Sequence, residues 1–295
     1  MSIKNAISVI IIVMIFAGCK EKLNPVDENS DAKITKSPKR GLAYNLTNSA
    51  DFDTLKNGVS WWYNWYMSTS TPANYYSEYK MEFVPMLWGG GTNANDIAHV
   101  KYFILSRPEI KYLLAMNEPN LTDQANRTPQ QAAADWLRYE QVVNELAAQG
   151  RTIYLVGPQM NWGTLPGYSD PVVWLDSFFV AFNNNNGRDP RIDYLAFHWY
   201  DYGLASQLDR LQKYGKKIWI TEMANWNSQI NSYEKQAIQM REMVDICETR
   251  SDVFRYAWFI GRGNLPDNKF TYIFNPTPGQ LNELGKLYIN LPYSK

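Results

Sequence analysis

From Gly41 onward, short and nearly unbroken apolar runs alternate with longer stretches whose apolar residues recur every three or four positions. The runs are Gly41–Asn45, Trp61–Trp65, Glu82–Leu87, Tyr112–Met116, Thr152–Gly157, Asp193–Tyr200, Lys217–Met223 and Arg255–Ile260, eight in all. A strand buried on both faces reads as a continuous apolar run, and parallel sheets covered by crossover helices bury their strands this way. Helix signals sit between the runs. Thr128-Pro129-Gln130-Gln131 offers an N-cap, a proline at the first helical position and a glutamine placed to close a capping box, with Gly150 as the stop. Tyr233–Glu248 and Leu204–Tyr214 have helical periodicity as well.

Eight strand–helix units over residues 39–295 predict a single (β/α)8 barrel domain, since such barrels run to roughly 250 residues. A doubly wound open sheet is the alternative. It calls for a glycine-rich phosphate turn after the first strand, and GLAYNLTNS at 41–49 is not one. In a barrel the chemistry gathers on the loops at the C-terminal ends of the strands. Those ends hold Tyr44-Asn45, Asn64-Trp65, Trp88 with Gly89–Gly91, Asn117-Glu118-Pro119-Asn120 and Gln159 with Asn161-Trp162. The last three hold His198-Trp199-Tyr200, Thr221-Glu222, and Trp258 with Arg262 beyond it. Nearly every end carries an amide, an aromatic ring or a carboxylate.

Two of these residues stand out. Glu118 and Glu222 each close an apolar run, the fourth and the seventh, where burial disfavours a charged carboxyl unless it is paired or used. Around a closed barrel those ends can face each other. Two facing carboxyls are what glycoside hydrolysis needs, one to protonate the leaving oxygen and one to attack the anomeric carbon or activate water.

The N-terminus reads as an address. Lys4 precedes the apolar run Ala6–Phe16, which ends in Ala17-Gly18-Cys19. That run is too short to span a bilayer and suits a signal h-region. Small residues directly before a cysteine resemble a bacterial lipobox, so residues 1–19 are expected to be a lipoprotein signal peptide that leaves Cys19 lipidated. Residues 20–38 are charged and poor in apolar residues, as in a flexible tether. The expected location is the bacterial outer membrane, at the cell surface or the periplasmic face. Cys247 is left as a buried structural thiol.

Composition narrows the chemistry. Basic and acidic residues balance at 29 each, which gives no footprint for nucleic acid. His99 and His198 are the two histidines and the cysteines number two, too few for a His/Cys metal site. No metal and no cofactor is expected, and the protein is expected to act as a monomer. Aromatic residues make up 15%, with 11 Trp and 20 Tyr, a composition suited to stacking flat rings on the apolar faces of sugars. Trp65, Trp88, Trp162, Trp226 and Trp258 follow or end strands and are candidate platforms. Asn45 and His198 are candidate sugar ligands. Tyr200 shares a strand face with His198 and can donate to Glu222. The triple glycine at 89–91 has no lysine at the spacing of a phosphate loop.

Pairing of Glu118 and Glu222 on the fourth and seventh strands resembles the clan of retaining barrel glycosidases, in which Asn-Glu on the fourth strand carries the acid/base. Within that clan the chain resembles glycoside hydrolase family 128, endo-β-1,3-glucanases with an Asl1-like catalytic domain. The resemblance rests on KRGLAYN (39–45), FVPMLWG (83–89), LLAMNEPN (113–120), VGPQMNW (156–162), YLAFHWYD (194–201), IWITEMAN (218–225) and RYAWF (255–259). It implies Glu118 as general acid/base, Glu222 as nucleophile and Asn117 as a ligand of the sugar 2-hydroxyl, acting on β-1,3-glucan with retention. The sequence departs from the family pattern at Ala115-Met116, where an aromatic or glycine is expected, and at Asn120, where an aspartate is expected. Other readings are a retaining barrel hydrolase for another β-glycan, and a non-catalytic surface glycan-binding lipoprotein on the same fold. A retired barrel is expected to have lost a carboxylate, and both are present.

Overall fold

The computed structural model describes residues 36–263 and 270–293. The expected signal peptide, Cys19 and the tether up to residue 35 lie outside the described residues. Lys36 and Ser37, at the end of the expected tether, are packed on the domain. Lys36 Nζ donates to the carbonyls of Val59 and Tyr79, and the Ser37 carbonyl accepts from Ser60 Oγ at 2.6 Å. Among the described residues no helix is long and apolar enough to cross a membrane.

All nine strands pair in parallel, in the order β3-β2-β1-β9-β8-β7-β6-β5-β4. They are β1 (Arg40–Ala43), β2 (Trp61–Tyr63), β3 (Glu82–Phe83), β4 (Met86–Leu87), β5 (Tyr112–Ala115), β6 (Tyr154–Met160), β7 (Tyr194–Trp199), β8 (Ile218–Met223) and β9 (Val253–Trp258). Eight runs become nine strands because the third, Glu82–Leu87, is divided at Val84-Pro85. Proline has no N–H for a ladder bond. The residues on either side still bond outward, Val84 N to Trp62 O and Met86 N to Tyr66 O. The two edge strands of the sheet are therefore joined by two residues of chain.

The helices are α1 (Ser49–Leu55), α2 (Tyr75–Tyr79), α3 (Ala94–Leu105), α4 (Pro129–Ala148), α5 (Pro171–Asn186), α6 (Leu204–Leu211), α7 (Tyr233–Thr249) and α8 (Glu283–Asn290). The α4 start is the predicted one, with Thr128 and Gln131 closing a reciprocal capping box.

Successive side chains of a strand point to opposite faces, and the core divides accordingly. Trp61, Tyr63, Met86, Leu114, Val156, Ala196, Trp219 and Ala257 form one compact cluster drawn from strands across the whole sheet, which requires the sheet to curl around it. Trp62, Leu113, Leu155, Phe197, Ile218 and Ile220 point outward into a larger core with the helices. This is why the strands read as unbroken apolar runs. The N-terminal end of the concave face is closed by Arg255, whose guanidinium lies over Tyr112 (4.6 Å) and Trp219 (4.8 Å) and pairs with Glu82 at 2.7 Å.

The C-terminal helix is tied back by Arg40. Its buried guanidinium donates to the carbonyls of Tyr288 (2.8 Å) and Leu291 (2.7 Å) and to Tyr256 Oη (2.9 Å), with Glu248 at 3.6 Å. Replacing Arg40 with Met strands a buried carboxylate and two carbonyls. We expect Arg40→Met to lose about 3–5 kcal/mol of stability in urea titrations. A loss below about 1 kcal/mol contradicts this anchoring role.

Candidate active site

Both glutamates stand at the C-terminal ends of their strands, and the backbone there is unusual. Met116 and Glu118 have φ of +57° and +43°, a region that costs an L-residue about 1–2 kcal/mol. The cost is borne by a dense set of bonds: Met116 N to Leu87 O, Asn117 N to Trp88 O, Gln159 N to Met116 O and Glu118 N to Gln159 O, all between 2.8 and 3.0 Å. A positive φ at residue 116 is a conformation that glycine adopts without strain. Here Met116 keeps the conformation and buries its side chain completely in the outer core.

Asn120 also has a structural reason. Its amide donates to the carbonyls of Asn161 (2.6 Å) and Tyr168 (3.3 Å), which an aspartate could not do. Gly163 lies against this residue so closely that a Cβ would stand 2.1 Å from the Asn120 carbonyl oxygen. Asn120 thereby holds the loop that carries Asn161, and Asn161 Nδ2 donates to Glu118 Oε1 at 2.7 Å.

Glu222 is bound on both oxygens. Tyr63 Oη (2.8 Å) and Trp65 Nε1 (2.7 Å) donate to Oε1, and Tyr200 Oη donates to Oε2. Tyr200 is itself stacked on Trp226, with ring centroids 3.8 Å apart, and Phe259 meets both rings edge-on. Burial and the adjacent carboxylates push the Tyr63 and Tyr200 phenols well above their usual range, so both stay protonated donors.

His198 joins the two halves. Its Nδ1 is 2.8 Å from Glu118 Oε1 and 3.4 Å from Glu222 Oε2, and the ring is fully buried. Burial acts most strongly on this imidazole and disfavours its charge, yet the charges of Glu222 and Glu118 and the Glu118 hydrogen bond outweigh it and raise the pKa above 6.5. Burial is also the largest single effect on Glu118 and pushes its pKa up. The hydrogen bond and charge of His198, with the Asn161 amide, prevail and hold it below 4.5. His198 Nδ1 thus stands between two carboxylate acceptors, which favour the protonated imidazole over its ordinary behaviour. Donor atoms of Glu118, His198 and Glu222 all lie within 4.8 Å of one another, the one set among the described residues close enough to hold a cation.

A cleft of about 520 Å³ opens above this trio, lined by Trp65, Trp88, Asn117, Glu118, Asn161, Tyr200, Glu222, Trp226 and Phe259 among others. An adjoining hollow of about 360 Å³ shares Trp65 and Trp88 and extends the cleft into a groove past Tyr66. Trp65, Trp88, Asn117, Tyr200 and Trp226 therefore stand where the sequence places them. Trp162 does not line the cleft; it is exposed at the next position after Asn161, beneath the Arg210 guanidinium.

Two expectations are corrected. Trp258 is fully buried and gives its N–H to Thr271 O, because it falls on the helix-facing side of β9 while Ala257 takes the concave side. Asn45 is exposed and bound to Asn64 at 3.2 Å, outside the residues that line the cleft. Tyr63 and Asn161 were not among the predicted site residues. Tyr63 shares a strand face with Trp61, and Asn161 follows the fifth run, signals too general to single out either one.

Two histidines make the proton arrangement directly readable. In an NMR titration the His198 imidazole should have its midpoint above 6.5, and Glu118→Gln should lower it. The pair's contribution to stability should be complete between about pH 4.5 and 6.5, the ordinary values of Glu and His. It is lost as pH rises through the elevated His198 value, and as pH falls through the depressed Glu118 value. A His198 midpoint at or below 6.5 contradicts the shared proton.

Comparison with known proteins places this geometry in context. A family model described as a glycosyl hydrolase catalytic core matches residues 41–288. The chain is similar in structure to a family 128 (subgroup II) endo-β-1,3-glucanase from Pseudomonas viridiflava, with TM-score 0.81 and 52% identity over 88% of this chain and 100% of that one. It is also similar to a subgroup II endo-β-1,3-glucanase from Sorangium cellulosum, with TM-score 0.74 and 30% identity over 87% and 100%. A subgroup I endo-β-1,3-glucanase from Amycolatopsis mediterranei in complex with laminaritriose matches with TM-score 0.63 and 26% identity over 86% and 99%. No curated protein matches the chain.

Proposed function

The chain belongs to glycoside hydrolase family 128 and is a glycoside hydrolase, and from that premise we propose that it is an endo-acting β-1,3-glucanase that retains anomeric configuration. The observation that carries the mechanism is the closeness of the carboxylates. Their oxygens approach within 4.8 Å. Retaining glycosidases hold their carboxyl groups about 5–5.5 Å apart, whereas inverting enzymes need about 6.5–9.5 Å to admit a water. The substrate is supported by the three relatives named as endo-β-1,3-glucanases, one of them in complex with laminaritriose. The groove running past Trp65 and Trp88 supports internal cleavage, because it lets a chain continue beyond the carboxylates.

In the first step a Glu222 oxygen attacks the anomeric carbon, the glycosidic C–O bond breaks, and Glu118 delivers a proton to the departing oxygen. Glu118 obtains that proton from His198 Nδ1, 2.8 Å away. The transfer is coupled to the chemistry. The Glu222 charge is the foremost influence holding the proton on His198, and it disappears as Glu222 forms the ester. In the second step Glu118 takes a proton from water and passes it back to His198 Nδ1, while the water oxygen attacks the anomeric carbon and the bond to Glu222 breaks. Tyr63, Trp65 and Tyr200 orient the attacking carboxylate and receive its charge back. Asn117, with its buried Oδ1 unpartnered at the cleft, binds the sugar 2-hydroxyl. Trp88 and Trp226 stack the sugars.

We read the curled sheet as a (β/α)8 barrel in which β3 and β4 are two halves of one strand. The N-terminal signal and Cys19 support a lipid anchor at the bacterial outer membrane, with the domain working as a monomer on β-glucan.

Incubation of residues 36–295 with curdlan, laminarin, cellulose and mannan should release oligosaccharides of mixed length from the β-1,3-glucans. Release from cellulose or mannan alone overturns the substrate reading. Glu118→Gln should lower kcat on laminarin about 10²–10⁴-fold, and Glu222→Gln at least as much. The Glu118→Gln loss should shrink on an aryl glycoside whose leaving group needs no protonation. A near-wild-type rate on laminarin for either variant contradicts the assigned roles.

A further inference from the structure

The proposed reaction uses one ring nitrogen of His198 and assigns nothing to the other. Nδ1 faces Glu118 and Glu222. Nε2, on the opposite side of the ring, is fully buried and meets no protein partner among the described residues. A buried N–H without an acceptor is costly, so this atom needs a partner if it carries a proton.

The chemistry requires that it carry one. A protonated imidazole donates from both nitrogens. Once Nδ1 has given its proton to Glu118, the neutral ring keeps its remaining proton on Nε2, and Nδ1 is free to take a proton back. The other neutral form, with the proton on Nδ1 and Nε2 bare, can give Glu118 nothing without becoming an imidazolate. The double displacement therefore needs the Nε2–H form throughout, and which form a histidine takes is set by the hydrogen bonds its two nitrogens make.

Gln159 is placed to make that bond. Its side chain is fully buried, and neither of its amide atoms has a protein partner among the described residues. Its Cα partner on β7 is Ala196, a member of the concave-face cluster, while the next pair, Met160 and Phe197, points out toward the helices. Gln159 and His198, two residues beyond Ala196, thus project from the same face of neighbouring strands. Diagonal neighbours of this kind stand about 7–8 Å apart, within reach of long side chains. The side chain between them on that face is the single methyl of Ala196. The Gln159 backbone is fixed at the same point, since its carbonyl accepts from Glu118 N at 2.8 Å and its N–H donates to Met116 O at 3.0 Å. A carboxamide offers an acceptor and a donor together, and one internal water joins such buried groups at low cost.

We propose that Gln159 is a positioning residue that keeps a proton on His198 Nε2, its amide oxygen accepting through one internal water. The inference rests on the double displacement above and deepens it. Gln159 is not among the residues that line the cleft. It acts through His198, leaving Nδ1 as the only nitrogen that exchanges a proton with Glu118. The ionisable groups around the ring are otherwise Glu118 and Glu222, which face Nδ1, and Tyr63 and Tyr200, which are bonded to Glu222.

Nitrogen NMR of the His198 ring, in the otherwise intact chain at a pH above its midpoint, reads the tautomer without turnover. Wild type and Gln159→Glu, which keeps an acceptor, should hold the proton on Nε2, and Gln159→Leu should move it to Nδ1. In kinetics, Gln159→Leu should lower kcat/KM on laminarin about 10- to 100-fold, the range of one lost buried hydrogen bond. The loss should be much smaller on an aryl laminari-oligosaccharide whose leaving group needs no protonation. An Nδ1–H tautomer in the wild type overturns the proposal, and so does an Nε2–H tautomer retained in Gln159→Leu. An equal loss on both substrates does the same, because it marks a merely structural role. The tautomer is read whether or not laminarin is cleaved, so a failure of the glucanase reading shows separately, as no release from laminarin by the wild type.

Discussion

A single imidazole nitrogen between two buried carboxylates is the constraint on which the rest of the structure depends. Two full negative charges whose nearest oxygens lie within 4.8 Å repel by on the order of 3 kcal/mol at an effective dielectric constant near 20, before any cost of removing them from water. The proton on His198 offsets that repulsion, since Nδ1 reaches both groups. Four neutral donors complete the shell: Asn161 on Glu118, and Tyr63, Trp65 and Tyr200 on Glu222. They come from the C-terminal ends of three strands or the loops just beyond them, Tyr63 and Trp65 from β2, Asn161 from β6 and Tyr200 from β7. Only a curled parallel sheet brings all of those ends to one point.

That geometry resolves an apparent conflict in the chemistry. A general acid must carry a proton, yet His198 and Asn161 hold Glu118 below the usual carboxylate range. In the proposed double displacement the proton is stored one hydrogen bond away, on His198, and the Glu222 charge that favours it there is consumed as the leaving group needs protonation. The backbone around Glu118 serves the same end: the two left-handed residues, Met116 and Glu118, turn the carboxyl off its strand toward His198.

Much of this was legible in the sequence. The eight apolar runs correspond to the strands, and both glutamates were found from their place at the ends of runs, since a carboxylate there is costly unless it is used. Tyr200 was legible through its two-residue offset from His198 in one strand. The failures share a physical origin. Trp258 was read as a candidate platform at a strand end, but which face a residue takes depends on register, and the pairing of β8 with β9 shifts twice along its length. Asn45 lies just beyond the first strand, exposed and bonded to Asn64, and is not among the residues that line the cleft. Asn161 acts through a loop whose shape is set by Asn120 and Gly163, a contact across more than 40 residues that no local pattern encodes. Pro85 does carry a local signal, the missing ladder donor, and it accounts for the ninth strand.

The central claim is that Glu222 attacks the sugar directly, as the short spacing of the two carboxylates favours. The most direct measurement is proton NMR of the anomeric signals during the first minutes of laminarin-oligosaccharide hydrolysis, before mutarotation mixes them. The β-anomer should appear first, with the α-anomer growing in only at the rate of mutarotation. Initial release of the α-anomer would mean inversion through an activated water, and would contradict the account of the two carboxylates and their shared proton.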